Sequence, residues 1–189
     1  MFRREVSVQS LVFGAKEPAA RGSTDFQSSF MKIIRASISD ISDAQLLLRK
    51  YYEAVGVTRR DTPEEIAALL CDAASGLWIA YVDDIPAGCV VLRPLPSIAR
   101  ATECKRLYVR PEFRGQGLAE ALLNSMEGHA AAISLEWVYL DSKDDLTDAL
   151  RIYMRRGYQA CERYNDNPQA TAFLRKDLRQ PAGDSNPNV

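Results

Sequence analysis

The run Leu107-Tyr-Val-Arg-Pro-Glu-Phe-Arg114-Gly-Gln-Gly117-Leu-Ala119 constrains this chain more than any other stretch. Leu107, Tyr108 and Val109 favour a strand that reaches back to about Glu103, and Pro111 ends it because proline has no N–H to give to a ladder. Gly115 and Gly117 follow, where a backbone must approach something closely. Leu118, Ala121, Leu122 and Met126 then recur at helical spacing to about Ala130. Strand, glycine loop and helix N-terminus in that order make a phosphate site. The first N–H groups of a helix lack internal acceptors and carry the positive end of its dipole.

Two common phosphate motifs are excluded. No Gly-Lys-Ser/Thr follows the loop, so it is not a P-loop. The dinucleotide fingerprint fails because Glu120 stands where a third Gly or Ala must allow close helix packing. A plain glycine-rich turn between strand and helix is the bland alternative. What remains is Arg or Gln, two residues, Gly, one residue, then Gly or Ala, filled by Arg114, Gly117 and Ala119. With Leu-Tyr-Val-Arg-Pro before it, this resembles the acetyl-CoA-binding motif of the GNAT superfamily of N-acyltransferases.

The rest of the chain fits one domain with a full core, at 189 residues, 47% hydrophobic and 26% charged. A net charge of −1 gives no support for a nucleic-acid partner. No apolar run approaches the roughly 20 residues of a membrane helix. Cys71, Cys89, Cys104 and Cys161 include no C-x-x-C pair, and His129 is the single histidine, so no metal site is expected. Free thiols imply a reducing compartment, and a cytoplasmic location is expected.

Residues 1–30 carry only short apolar stretches, together with Glu5, Glu17 and Asp25, which suit neither a signal nor a transit peptide. They read as a flexible extension, residues 31–179 as the domain, and residues 180–189 as a disordered Pro, Gly and Asn-rich tail. Lys32 to Ile38 reads as a strand. A helix follows over Ser42 to Val55, opened by Ser42 and Gln45 as a capping box. Thr62, Pro63 and Glu65 mark a second helix start. Leu77 to Val82 and Ala87 to Leu92 form a hairpin around Asp83-Asp84. After the opening strand and its helix, Glu136 to Leu140 is a strand buried on both faces. Ser142 to Asp145 can cap a fourth helix with the stripe Leu146, Ala149, Leu150 and Tyr153. Tyr158 to Tyr164 and Thr171 to Leu178 read as closing strands.

That element order is similar to the GNAT order from about Met31 to Leu178. Ala149 to Tyr158, with Tyr153 and Gly157-Tyr158, resembles a second motif of the superfamily. Leu140-Asp141, Tyr164 and Asn167-Pro168 look like one subgroup of small-molecule or uncharacterised members. The resemblance implies an α/β fold of three layers, with a mixed central sheet of about seven strands flanked by four helices. It also implies acetyl-CoA as co-substrate. The pyrophosphate would lie on the N–H groups of Arg114, Gly115, Gln116, Gly117, Leu118 and Ala119. The carbonyl would be met by backbone near Leu107, Tyr108 and Val109, where the strand parts from its neighbour.

Amide formation from a thioester needs a neutral amine and a stabilised departing thiolate. An amine of pKa about 10.4 costs roughly 4–5 kcal/mol to deprotonate at pH 7, which a general base can offset. Glu103, eleven residues ahead of Arg114, is the candidate base, since some GNAT members carry a catalytic Glu at about that place. A salt bridge to Lys105 or Arg93 is its structural alternative, and Asp141 or water could serve instead. Tyr153 is the candidate donor to the sulfur, as the motif tyrosine often is, and equally a core aromatic. A Cys104–His129 nucleophile pair lacks anything to orient it.

The expected activity is therefore transfer of an acetyl group from acetyl-CoA to the primary amine of a small molecule in a ternary complex, by a possible homodimer. A module that holds acyl-CoA without turnover is the rival. A toxin or ribosomal-protein acetylase would call for a more basic surface.

Overall fold

The computed structural model describes residues 30–179. The expected tail, and the expected extension up to residue 29, lie outside the described residues. The elements run β1 Met31–Arg35, α1 Ile41–Val55, α2 Pro63–Cys71, β2 Gly76–Val82, β3 Ile85–Pro94, β4 Ala101–Val109, α3 Leu118–Ala132, β5 Trp137–Ser142, α4 Thr147–Arg155, β6 Gln159–Ala160 and β7 Ala172–Asp177. This is the order expected from the sequence. Among the described residues no helix is long and apolar enough to cross a membrane.

Among the described residues seven strands form one mixed sheet in the order β1-β2-β3-β4-β5-β7-β6, with β4–β5 the only parallel pair there. Period-2 alternation splits the core into two layers. Leu77, Ile79, Cys89 and Val91 face α1 and α2, where Leu47, Leu48, Ile66 and Leu69 cover them. Trp78, Ala80, Val90, Leu92, Cys104, Val138 and Leu140 face α3 and α4, against Leu118, Leu122, Leu123, Met126 and Tyr153. Strands buried on both faces explain the near-continuous apolar runs.

Local signals succeed where they are self-contained. Thr62 Oγ1 accepts from Glu65 N–H and Glu65 Oε2 from Thr62 N–H, closing the capping box of α2. Asp83 and Asp84 take φ of 50° and 61°, the left-handed pair that suits a two-residue turn between twisted strands. They fail where neighbouring signals compete. β1 stops at Arg35, and Ser37 with Asp40 closes a box around a short 3-10 turn over Ile38–Asp40, so the box expected at Ser42 and Gln45 is not used. Ser142 ends β5 instead of capping α4, which starts at Thr147 with no side-chain cap. Of the strand expected over Tyr158 to Tyr164, only Gln159 and Ala160 pair with β7.

Two departures from regularity position the site. Cys89 pairs with Tyr108 but Val91 with Lys105, so β4 takes one residue more than β3 over this stretch. Arg106, at φ 58°, absorbs the excess. On its other edge β4 pairs with β5 only from Ala101 to Glu103, and from Cys104 to Val109 the two strands splay apart.

Candidate active site

A cleft of about 1360 Å³ runs along this splay, from the glycine loop to the faces of α1 and β5. It exceeds the ~300–1,000 Å³ usual for one small ligand.

At one end, Gly115 and Gly117 both hold φ 78°, and Gly117 is the N-cap of α3. A side chain in the left-handed region is strained, which accounts for glycine at both positions. A Cβ on either would meet nothing within 4 Å, so the loop leaves open volume beside its backbone. The first bond into the helix is Ala121 N–H to Gly117 O. Among the described residues the N–H groups from Gly115 to Glu120 have no backbone acceptor. Arg114 Nε donates to Val109 O at 3.1 Å, which ties the loop to the end of β4. Open volume and unpaired donors at a helix N-terminus fit a phosphate-bearing ligand.

At the other end, alternation puts Glu103 and Lys105 of β4 on the face that also carries Asp141 of β5. Lys105 Nζ lies 2.8 Å from Glu103 Oε1 and also pairs with Asp141. Tyr164 Oη donates to Glu103 Oε1 at 2.8 Å and Asn165 Nδ2 to the same oxygen at 3.0 Å. Asn167 Nδ2 donates to Asp141 Oδ2. The three donors to Glu103 thus converge on Oε1, and Oε2 has no partner among the described residues. Burial, with the Glu103 charge next, pushes the Tyr164 phenol far up, so it stays a donor.

Tyr153 enters the splay from α4. Its ring is buried and lies 5.5 Å from that of Tyr158, while the residue lines the cleft. Burial raises its phenol well above the ordinary value. Among the described residues its hydroxyl makes no hydrogen bond. Tyr153 is therefore both core aromatic and a protonated group facing the cleft. Cys104 is buried in the sheet and burial drives its thiol up, the reverse of a nucleophile. His129 packs against Trp78.

A second polar group borders the cleft beside α1. The buried Asp61 accepts from Tyr52 Oη at 2.7 Å, Arg93 Nη2 at 2.6 Å and Arg106 Nε at 3.3 Å. Burial alone would raise the Asp61 carboxyl, but the Tyr52 bond and the Arg106 and Arg93 charges outweigh it and hold it low. Arg106 lies over the rings of Tyr51 and Tyr52 at 5.5 and 5.3 Å. Arg93, a considered partner of Glu103, gives its ion pair to Asp61, and its Nε is buried without an acceptor.

Of the residues expected at the site, Glu103, Leu107, Tyr108, Val109, Arg114, Gly115, Gly117, Leu118, Ala119 and Tyr153 all line the cleft, and Gln116 does not. Asp141 joins the Glu103 cluster and caps nothing. The sequence reading assigns no site role to Lys105, Asp61 or Arg106, and places Asn165 to Pro168 only as a loop on the wall of the acceptor pocket. Tyr164 and Asn167 carry a signal as a family resemblance, without a partner. Both lie more than two dozen residues from the carboxylates they hold.

The Acetyltransferase (GNAT) family matches residues 43–158. An uncharacterized N-acetyltransferase of Schizosaccharomyces pombe is 29% identical over 135 residues, which cover 68% of this chain and 82% of that protein. Among solved structures, a GNAT-family acetyltransferase of Staphylococcus aureus aligns with a TM-score of 0.68 at 16% identity, over 79% of this chain and 99% of its own. The PaiA N-acetyltransferase of Thermoplasma acidophilum, in complex with coenzyme A, aligns at 0.66 and 16% identity, over 78% and 99%. The last two likenesses are of fold.

Proposed function

The chain belongs to the GNAT family of acetyltransferases, and from that premise we propose that it transfers the acetyl group of acetyl-CoA to the primary amine of a small molecule, by direct attack with both substrates bound. The observation that carries this reading is the β4–β5 splay, which opens one continuous cleft between the glycine loop and the Glu103 cluster. A donor held at the loop can then reach an acceptor on the opposite face of the sheet without leaving the protein. The S. pombe relative and the PaiA enzyme bear N-acetyltransferase names, and PaiA holds coenzyme A, which supports the donor and the class of acceptor.

Acetyl-CoA, when bound, supplies an acyl thioester and a diphosphate. The N–H groups from Gly115 to Glu120 would donate to the diphosphate oxygens, with the Arg114 guanidinium beside them. The backbone of Leu107, Tyr108 and Val109, unpaired on the β5 side, would orient and polarise the carbonyl. Glu103 Oε2 would take a proton from the attacking amine while Lys105, Tyr164 and Asn165 fix the carboxylate through Oε1. The Tyr153 hydroxyl would donate to the departing sulfur, which burial suits it to do by keeping it protonated.

The test is release of free CoA thiol from acetyl-CoA by the full chain, with and without a panel of primary amines. Slow release alone and amine-dependent bursts are expected. Tight acetyl-CoA binding with no amine-dependent release would instead favour the module that binds without turnover.

A further inference from the structure

The acceptor end of the cleft has two poles of opposite charge. Around Asp61, the guanidiniums of Arg59, Arg93 and Arg106 meet the carboxylates of Asp61 and Glu65, leaving one positive charge over. Around Lys105, the carboxylates of Glu103 and Asp141 leave one negative charge over. Arg93 and Glu103 are direct cross-strand partners between β3 and β4. Such partners sit on one face with Cβ atoms about 5 Å apart. The poles are thus one strand spacing apart on the floor of one cleft. Lys143, the other cation lining this end, is turned to the Val55 carbonyl at the C-terminus of α1.

Each pole also has unused capacity. Glu103 Oε2 has no partner among the described residues. Arg93 gives only Nη2 to Asp61, its side chain is 29% exposed, and it lines the cleft. Arg59 stands at the rim with its side chain 79% exposed. A plain amine would use the negative pole and leave the positive one facing solvent.

We infer that the acceptor is an amino acid, its amine seated at Glu103 and its carboxylate at Arg93 and Arg59. This rests on the acetyltransferase reading above. A carboxylate is planar and carries one negative charge at neutral pH, which matches both the guanidinium fork and the single surplus charge of the pole. A phosphorylated amine carries close to two and matches it less well.

The experiment compares CoA release by the full chain for matched sets of amines. Each set holds an amino acid, its carboxamide and its decarboxylated amine, with phosphoethanolamine as the dianionic arm. The acids should have kcat/KM at least tenfold above their carboxamides, mainly through KM. Arg93→Gln should shrink that acid-to-amide ratio towards one. Arg59→Gln, at an exposed position where folding is not at risk, should shrink it less. Equal turnover of acids and amides, preference for decarboxylated amines, or preference for phosphoethanolamine overturns the inference and leaves acetyl transfer standing. Failure of every amine, neutral ones included, overturns both.

Discussion

Tyr164 donates its hydroxyl hydrogen to Glu103 Oε1 at 2.8 Å, so a residue from the loop after β6 occupies one carboxylate oxygen and leaves Oε2 for another partner. A base needs a fixed orientation and a free lone pair, and this contact with Lys105 and Asn165 supplies both.

Glu103→Gln should lower kcat/KM by about 10²–10⁴-fold near pH 7. The loss should lessen as pH rises towards the pKa of the amine, because the amine then deprotonates without help. A pH–rate profile from 6.5 to 9.5 measures this. A deficit that stays flat with pH would move the proton to Asp141 or water.

Tyr153→Phe keeps the ring that packs on Tyr158 and removes only the hydroxyl. It should lower kcat by on the order of 10²-fold, since a donor to a charge that develops late is lost. The acetyl-CoA Kd should be nearly unchanged. Because burial holds this phenol protonated well past its ordinary range, no alkaline loss of kcat below about pH 10 should trace to it. Weakened binding in place of slowed turnover would count against the role.

Gly117→Val meets no side chain, but it forces a β-branched residue to φ 78°. The strain is about 1–2 kcal/mol, small enough for the fold to survive. The branched side chain would occupy the volume beside the loop, and the acetyl-CoA Kd should rise at least tenfold. Calorimetric titration on the folded variant decides it, and unchanged affinity would sink the loop as the binding site.

Asp61 offers a stability test. Its folded pKa is lowered, so its contribution is present above the unfolded value near 4 and is lost as pH falls through the lower folded value. Asp61→Asn leaves Arg93 and Arg106 without their counter-charge and should cost about 3 kcal/mol at pH 7, roughly 6–12 °C in Tm. Wild type and variant should converge as pH drops from 7 to 3. Parallel Tm curves across that range would show that the carboxylate charge is not what matters.

The readable parts of this protein are those whose cause is local. The glycines before α3, the Thr62–Glu65 box and the Asp83-Asp84 turn each act within a few residues, and the element order follows from them. What could not be read depends on where the sheet brings distant residues. Nothing near Arg106 announces that β4 carries an extra residue there, yet that residue helps turn the strand away from β5. Glu103 could pair with Lys105 or Arg93 by spacing alone. Only the position of Asp61, on the loop before α2, draws Arg93 away and leaves Lys105 to bridge two carboxylates. Tyr164 reaches the site from a loop that resembles a strand in sequence, because Tyr158 to Tyr164 alternates well enough to suggest one, and Asn165 and Asn167 follow it in a turn whose side-chain partners spacing does not give.

Glu127, on the buried face of α3, accepts from Tyr158 Oη at 3.0 Å and from Lys176 Nζ at 2.7 Å, and pairs with Arg156 at 2.8 Å. These partners are Arg156 and Tyr158, just past the end of α4, and Lys176 of β7, so one carboxylate fastens the last part of the described chain to the helix whose first turn borders the glycine loop. If the segment from Arg156 to Lys176 detached by itself, it would strand a buried charge without any of its partners, a state far costlier than ordinary fraying. Amide hydrogens of β7 should therefore open to solvent only in the event that also exposes α3, and the two should exchange on one clock.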